Sequence, residues 1–420
     1  MGEREAVPDF TAVIQALDVY SRRTGRKPLP LGGWELDDSA VAPPEMLVER
    51  LAAIPARLDG YTYMRELSTA KQRAADALSY GILLEGQPLT QEQIAVVPNS
   101  TQALLLALAA LKAQGVAHVV VAAPGYFAAV EACRHLGLTL TIVPAADFMT
   151  GALDSKTIVA TMSGRPSVLI VTNPAYSIGV EYGWPCLRSL LAALPPESYV
   201  ILDETRLGLH WDDEAPWYQA DYAARVLVVR SPSKIFFING LKTSIIFGAP
   251  DLIHSIEQLS EALLGSVAGM TEQVALAYFA CWQRWVDELR AGEIGPFRTW
   301  RRNVVAHLKR SRRAVAAQLE KRGFTLSPVN SGPYLLAGIR DGEKRPVDSC
   351  AVARDTGVLL MDSPYFLHAQ RGWLGFRVNL CARQEQLIEA IERVFPLESP
   401  EVMATESEEL SEISLISQVS

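Results

Sequence analysis

The sequence predicts an α/β protein with a mostly parallel, seven-stranded sheet, helices on both faces of that sheet, and a smaller α+β domain. Short β-branched runs alternate with helical stretches between residues 94 and 247, and such alternation is typical of βαβ units. Several of these runs are apolar on consecutive positions, which is the pattern of strands buried on both faces. A chain of 420 residues has room for two or three units that each form a core.

The large sheet accounts for the middle of the chain. Its seven strands are predicted at 94–97, 118–122, 139–143, 167–172, 199–203, 225–230 and 244–247. Helices are predicted between them at 101–113, 128–136 and 184–193. Because each helix would connect two strands that run the same way, the sheet is expected to be covered by its own connections.

The last third of the chain predicts the smaller domain. Two long helices at 270–290 and 297–321 precede strands at 331–337, 357–361 and 375–380 and a final helix at 384–394. We therefore expect a large domain over residues 51–285 and a C-terminal small domain over 286–395, with residues 1–50 as an N-terminal arm and a further piece of the small domain. Residues 396–420 are rich in Ser and Glu and are expected to form a disordered acidic tail.

Charge, cysteine usage and hydropathy exclude several classes of protein. The net charge is −8, and residues 396–420 hold six glutamates and no Lys or Arg, so a general nucleic-acid binder is not expected. The five cysteines form no CxxC pair, which is typical of reduced thiols in a cytoplasmic protein. The apolar runs are too short to span a membrane. We expect a cytoplasmic protein that contacts neither nucleic acid nor membrane.

Several common catalytic signatures are missing. The chain has no GxGxxG fingerprint and no GxxxxGK[ST] loop, so dinucleotide and P-loop sites lose their main support. Its six histidines are scattered without an HExxH pair, and no metal site is expected. GxSxG is also absent, which removes the usual sign of a serine hydrolase.

Polar side chains follow three of the predicted strands, at the point where each strand ends. Asn173 follows the strand at 167–172, Asp203 ends the strand at 199–203, and Lys234 lies shortly after the strand at 225–230, flanked by Ser231 and Ser233. Ligands of α/β proteins bind at the carboxyl ends of the strands. The sequence therefore predicts a site that combines an amine, a carboxylate and an amide.

Six motifs resemble those of the class I/II aminotransferases, which are fold-type I enzymes dependent on pyridoxal 5'-phosphate. The motifs are NSTQ at 99–102, PGY at 124–126, NPAYSIG at 173–179, DE at 203–204, SPSKIFFINGLK at 231–242 and GFRVNL at 375–380. Their order and spacing match the family over roughly residues 30–395. The resemblance implies an aminotransferase that passes an amino group between an amino acid and a 2-oxo acid.

The resemblance also implies how pyridoxal phosphate would be held. Lys234 would carry it as a Schiff base, which requires an amine able to lose its proton in a desolvated pocket, and would later act as general base. Asp203 would bond the pyridine nitrogen, Asn173 the phenolic oxygen, and Tyr126 would stack on the ring. The phosphate would lie at the start of the helix at 101–113, where Ser100, Thr101, Ser231 and Lys242 would supply further donors.

The substrate and partner predictions come from the same resemblance. Arg377 would grip the substrate carboxylate in a bidentate pair, although a structural salt bridge is an alternative role. The backbone at Gly32 or Gly33 would approach the same carboxylate, and we take Gly33 and Asn173 as substrate-binding candidates. Tyr63, with Tyr61 as the alternative, would reach the phosphate of the other subunit. The expected assembly is a homodimer with shared active sites.

Three positions depart from the family pattern. Arg206 stands where relatives carry a tyrosine that bonds the phenolic oxygen; it would either place a cation there or turn away to pair with a carboxylate. Lys242 replaces an arginine, and Ser100 stands where a glycine is usual in the phosphate turn.

These departures keep other reactions open. A lyase, cyclase or β/γ-replacement enzyme of the same fold would use the same Lys234, Asp203 and Arg377. A regulatory domain without activity is a third interpretation, but the intact Lys234 argues against it.

Overall fold

The computed structural model describes residues 10–33, 41–53, 61–162, 164–212, 219–268, 270–340, 348–362 and 373–397. The predicted acidic tail lies outside them from residue 398 onward, so that prediction stays a prediction.

Helices and strands alternate along most of the chain. The helices are α1 (Phe10–Thr24), α2 (Glu45–Ala52), α3 (Ser68–Leu78), α4 (Ser100–Ala113), α5 (Ala128–Leu136), α6 (Ser155–Met162), α7 (Trp184–Ala193), α8 (Pro232–Ile235), α9 (Pro250–Leu264), α10 (Thr271–Ala291), α11 (Pro296–Glu320), α12 (Ser349–Thr356) and α13 (Gln384–Val394). The strands are β1 (Leu29–Pro30), β2 (Ile82–Leu84), β3 (Gln87–Pro88), β4 (Ile94–Val97), β5 (His118–Ala123), β6 (Thr139–Pro144), β7 (Ser167–Thr172), β8 (Tyr199–Asp203), β9 (Ala220–Tyr222), β10 (Val226–Arg230), β11 (Ser244–Phe247), β12 (Thr325–Leu326), β13 (Tyr334–Arg340), β14 (Val358–Leu359), β15 (Met361–Asp362) and β16 (Trp373–Asn379). None of the helices in the described ranges is both long and apolar enough to cross a membrane.

The central sheet has seven strands in the order β4-β11-β10-β8-β7-β5-β6. All neighbours pair in parallel except β11, which is antiparallel to both β10 and β4. All seven predicted strands are present, each within one residue of its predicted bounds. The predicted α/β fold with a mostly parallel sheet is confirmed.

Burial explains why these strands read as continuous apolar runs. Every residue of β5, β7 and β10 is buried, so both faces of these strands are covered. The cover includes α4, which contacts β8, β10 and β11, and α9, which packs against α4. The apolar side chains of the sheet and these helices form one continuous core.

A second sheet has four strands in the order β12-β13-β16-β15, all antiparallel. The predicted strand at 331–337 begins only at Tyr334, because Gly332 has a φ of +72° and Pro333 lacks a backbone N–H. The predicted strand at 357–361 was wrong as one element: β14 pairs with β1, whereas β15 pairs with β16. The chain changes partner at Leu360, which no local pattern indicates.

Backbone hydrogen bonds join the two sheets. Asn330 and Ser331 both donate their N–H to the carbonyl of Gly179, which follows β7, at 2.9 Å. Gly332 donates to the carbonyl of Leu209, which follows β8, at 3.0 Å. A Cβ at Gly179 would lie 2.4 Å from the carbonyl oxygen of Tyr334, so only glycine allows this approach. The four-stranded sheet is thereby fixed against the carboxyl ends of the central strands.

Candidate active site

A cavity of about 350 Å³ opens at the carboxyl ends of the central strands. That volume lies in the range of small-molecule sites. Eight of the predicted site residues line it: Ser100, Thr101, Tyr126, Asp203, Arg206, Ser231, Lys234 and Lys242. The structure therefore brings together residues that lie up to 142 positions apart in the sequence.

Lys234 lies in α8, the short helix that follows β10. Its Nζ donates to Ser100 Oγ at 3.1 Å and lies 5.8 Å from the centre of the Tyr126 ring. Desolvation by burial and, next in size, the charge of the nearby Arg206 guanidinium lower the pKa of the Lys234 amine to about 8, although Asp203 opposes the shift. A neutral amine is therefore accessible close to physiological pH, as a nucleophile requires.

The start of α4 forms one end of the cavity. Asn99 caps this helix by accepting from the Gln102 N–H at 2.9 Å, which leaves the first helical amides at the cavity wall. Ser100 and Thr101 add hydroxyl groups, and Lys242 adds a positive charge. Helix N-termini with such donors are ready sites for phosphate.

A row of serine hydroxyls continues this surface. Ser231 Oγ is 3.0 Å from Ser233 Oγ and accepts from Ser244 Oγ at 3.0 Å. Both Ser231 and Ser233 also donate to the carbonyl of Thr243 at 3.1 Å. All three hydroxyls line the cavity, and Ser233 and Ser244 are polar groups there beside Ser231, which the sequence predicts.

Asp203 is the one carboxylate among the described residues that line the cavity. It ends β8, is buried, and its Oδ1 accepts from the Thr205 N–H at 3.2 Å. The next residue, Glu204, points away from the cavity and pairs with Arg230 of the neighbouring strand at 2.7 Å. Side chains alternate along a strand, so this ion pair lies behind the site while Asp203 faces it.

Aromatic side chains form the opposite wall. Tyr126 Oη is 3.1 Å from Thr101 Oγ1, and its ring centre lies 5.9 Å from that of Tyr176 and 4.8 Å from that of Phe127. A planar aromatic ligand would find a stacking surface here.

Arg206 lines the cavity and contacts Tyr334. Its Nη2 donates to Tyr334 Oη at 3.0 Å, and its guanidinium carbon lies 4.4 Å from the ring centre. Within the described part of the chain, Arg206 forms no ion pair with a carboxylate. Of the two predicted orientations, the one toward the cavity is the one present.

Arg377 lies behind the cavity wall. It is fully buried on β16, and its Nε and Nη2 donate to the carbonyl of Gly32 at 2.9 and 2.7 Å. Its Nη1 lies 3.4 Å from the hydroxyl of Tyr176, which faces the cavity. A Cβ on Gly32 would lie 2.8 Å from the Arg377 carbonyl oxygen, so this approach of the N-terminal segment needs glycine.

Three further predicted residues do not line the cavity. Asn173 is buried at the end of β7, where its side chain bonds the backbone N–H and carbonyl of Tyr182 at 2.8 and 3.1 Å. Gly33 is buried beside Gly32. Tyr63 is half-buried and donates its backbone N–H to Glu66 at 3.3 Å. The functional roles of these residues stay predictions.

Sequence reasoning missed several cavity residues. Ser233, Ser244, Asn239, Thr205 and Phe127 line the cavity, and Tyr334 positions Arg206 at its edge. Ser233 and Asn239 lie inside the lysine motif, so the motif carried a signal for them. Ser244 and Tyr334 reach the site only through strand pairing and through the contact between the two sheets.

The family model for aminotransferase class I and II matches residues 35–394. The chain belongs to the class I and II aminotransferase family. Members of this family depend on pyridoxal 5'-phosphate.

Relatives and solved structures agree with this membership. The chain is 26% identical over 183 residues to a histidinol-phosphate aminotransferase of Moorella thermoacetica, covering 42% of this chain and 46% of that protein. It is 27% identical over 209 residues to an aromatic amino acid aminotransferase of Mycobacterium tuberculosis, covering 49% and 54%. The chain spans about half the length of the curated relatives it matches.

Two solved structures share the fold over nearly the whole chain. The aspartate aminotransferase of Thermus thermophilus with maleate superposes with a TM-score of 0.71 at 18% identity, covering 94% of this chain and 98% of that one. YbdL of Escherichia coli, which has a methionine aminotransferase function, gives 0.69 at 19%, covering 94% and 100%. At these identities the likeness shows the fold.

The cavity residues fit the cofactor of this family. A phosphate matches the donors at the start of α4 together with Ser231, Ser244 and Lys242. An aldehyde matches the desolvated amine of Lys234, and a protonated ring nitrogen matches the carboxylate of Asp203. The three complementary groups line one cavity beside the aromatic wall.

Proposed function

We propose that this protein is a pyridoxal-phosphate-dependent aminotransferase that passes an amino group between an amino acid and a 2-oxo acid. One observation carries the proposal: the amine of Lys234, with a pKa lowered to about 8, lines the same cavity as the amides of the α4 N-terminus and the carboxylate of Asp203. An amine nucleophile, an anion site and a lone carboxylate are the three groups that this chemistry needs.

Each cavity residue has a defined task in this proposal. When bound, pyridoxal phosphate supplies an electron sink that stabilises negative charge at the substrate Cα. Lys234 would hold the cofactor covalently, and Ser100, Thr101, Ser231 and Lys242 would hold its phosphate. Asp203 would keep the ring nitrogen protonated, Arg206 would bind the phenolic oxygen, and Tyr126 would cover the ring face. Asn173, which lies outside the cavity lining, is a further candidate for binding the phenolic oxygen.

Lys234 also moves the proton at the substrate Cα. As a free amine its Nζ donates to Ser100 Oγ at 3.1 Å, and the same contact would hold it in the cavity whenever it does not carry the cofactor. A base with a pKa near 8 takes and returns a proton efficiently close to neutral pH. Ser100 therefore holds the base inside the cavity between the two proton transfers.

Substrate binding is assigned to the far side of the cavity. Arg377 would bind the substrate carboxylate through Nη1, the atom that contacts the Tyr176 hydroxyl in this structure. Its Nε would remain bonded to the carbonyl of Gly32. Gly33 and Asn173 complete this end of the site. Because Arg377 is buried, its charge is weakly screened and a carboxylate gains strongly from pairing with it.

Assembly and organisation follow from the same interpretation. We propose a homodimer in which Tyr63 of each subunit completes the phosphate site of the other. The separate seven-stranded and four-stranded sheets, with β1 paired to β14, support a large cofactor domain over 51–285 and a small domain over 286–395 joined by residues from 1–50. None of the five cysteines, all of which lie in the described residues, forms a disulfide, which supports a cytoplasmic location.

The decisive experiment is a single-turnover absorbance measurement. Protein loaded with pyridoxal phosphate is mixed with a panel of amino acids, and conversion of the bound cofactor to pyridoxamine phosphate is recorded, with Lys234→Ala as the control. The proposal predicts stoichiometric conversion and recovery of the original spectrum with a 2-oxo acid. Consumption of an amino acid without conversion would instead identify a lyase, cyclase or replacement enzyme.

Shared active sites are tested separately by mixing two inactive variants. Tyr63→Ala and Lys234→Ala subunits, refolded together, would form hybrid dimers in which one of the two sites has both residues intact. The proposal predicts partial recovery of activity on mixing, and no recovery would contradict it.

A further inference from the structure

Two arginines of the site contact the same aromatic ring. The guanidinium carbons of Arg206 and Arg377 each lie 4.4 Å from the centre of the Tyr334 ring. Both distances lie well inside the range of cation–π contacts. The two charges are therefore no further apart than twice that distance, with Tyr334 as their common neighbour.

The three residues belong to different sheets. Arg206 follows β8 of the central sheet, whereas Tyr334 and Arg377 lie on the paired strands β13 and β16 of the four-stranded sheet. Arg377 is fixed by its bonds to the carbonyl of Gly32, within its own part of the fold. Arg206 is fixed across the boundary, because its hydrogen bond goes to Tyr334 Oη.

Tyr334 is well suited to hold a cation. It is buried on β13, where its backbone is paired in register with Asn379 of β16. Its hydroxyl accepts from Arg206, and its ring face attracts both guanidinium groups and so offsets part of their mutual repulsion. With no carboxylate paired to Arg206 among the described residues, Tyr334 is its principal anchor.

We propose that Tyr334 is a positioning residue that holds the Arg206 guanidinium beside Lys234 and couples it to Arg377. The inference rests on the proposed function, because it requires the cofactor at Lys234. It adds that the position of the Arg206 charge next to the cofactor depends on Tyr334, which belongs to the four-stranded sheet. The same Tyr334 ring packs against Arg377, the arginine proposed to bind the substrate carboxylate.

The consequence is electrostatic. Arg206 is half-buried, so a guanidinium released from Tyr334 would hydrate and act less on its neighbours. Since the Arg206 charge is, after desolvation, the largest cause that lowers the pKa of Lys234, its release would raise that pKa. In the loaded protein the same guanidinium charge would act on the nitrogen that joins Lys234 to the cofactor, so its release would raise the pH at which the absorbance of the bound cofactor titrates.

A double-mutant cycle tests the proposal on the loaded protein. Absorbance is titrated against pH for the wild type, Tyr334→Phe, Arg206→Met and the double variant. When Arg206 is present, we expect Tyr334→Phe to raise the pH midpoint of the absorbance titration by about half a unit. In the Arg206→Met background, we expect Tyr334→Phe to leave this midpoint unchanged. Tyr20→Phe is the matched control, because Tyr20 accepts from Arg393 at 3.2 Å far from the cavity.

The outcomes are separable. An equal shift in both backgrounds, or no shift in either, would overturn the positioning role. Far-ultraviolet circular dichroism and thermal unfolding confirm that each variant is folded. If Lys234→Ala keeps the same titrating absorbance as the wild type, the proposed function itself fails, independently of Tyr334.

Discussion

Glu204 and Arg230 form a fully buried ion pair across β8 and β10, with Arg230 Nη2 and Glu204 Oε2 2.7 Å apart. Tyr222 Oη donates to the second carboxylate oxygen at 3.1 Å. Each member directly adjoins a cavity residue, since Asp203 precedes Glu204 and Ser231 follows Arg230. The pair therefore holds the two strand ends that carry the site.

Breaking this pair should destabilise the protein strongly. Glu204→Gln leaves the Arg230 charge buried without its counter-charge, which costs about 3–5 kcal/mol. Urea unfolding monitored by tryptophan fluorescence measures the loss. The control is Asp355→Asn, which removes an exposed partner of Arg354 and should change little. Equal effects of the two substitutions would show that burial of the Glu204 pair is energetically unimportant.

Asp203 should control the rate of the chemical step. Asp203→Asn keeps the size of the side chain but removes the charge that would hold the ring nitrogen protonated. We expect kcat to fall by about 10²-fold or more, with cofactor still bound. Asp203→Glu, which restores the charge, should recover part of the loss. A normal kcat in Asp203→Asn would mean that this carboxylate does not face the cofactor ring.

Arg377 should control substrate affinity. Arg377→Lys loses the planar fork and leaves the Gly32 carbonyl with a poorer donor, so KM should rise roughly 10- to 100-fold while kcat changes less. Steady-state kinetics on the substrate found in the screen measure the split. Arg354→Lys, an exposed change on α12, serves as the control. If Arg377→Lys lowers the free energy of unfolding but leaves KM unchanged, the result would instead support the structural salt bridge role.

Lys234 should show its lowered pKa directly. In cofactor-free protein, the rate of covalent capture of pyridoxal phosphate rises as the amine loses its proton. The midpoint is therefore expected near pH 8, where an unperturbed lysine would show a midpoint near pH 10.5. A stopped-flow absorbance series from pH 6 to pH 10.5 measures it. A midpoint at the ordinary lysine value would contradict the desolvated environment.

The sequence predicts the central sheet well because strands buried on both faces leave continuous apolar runs, as in β5 and β7. It also predicts Asp203 and Lys234 at the ends of such strands, whereas the anion-binding residues Ser100, Thr101, Ser231 and Lys242 were predicted from the resemblance to the aminotransferases. Tyr334 and Ser244 were missed, since they enter the site through pairing between segments far apart in the chain. The Gly32–Arg377 contact spans 345 positions, and only the folded chain reveals which glycine is involved.

The central claim is that Lys234 carries the cofactor, and borohydride reduction followed by peptide mapping tests it most directly. Loaded protein is reduced and digested, and the peptide that bears the pyridoxyl group is sequenced by mass spectrometry. We expect the label on Lys234, within residues 231–242, and none in Lys234→Ala. A label on another lysine, or none at all on a fully loaded wild-type protein, would contradict it.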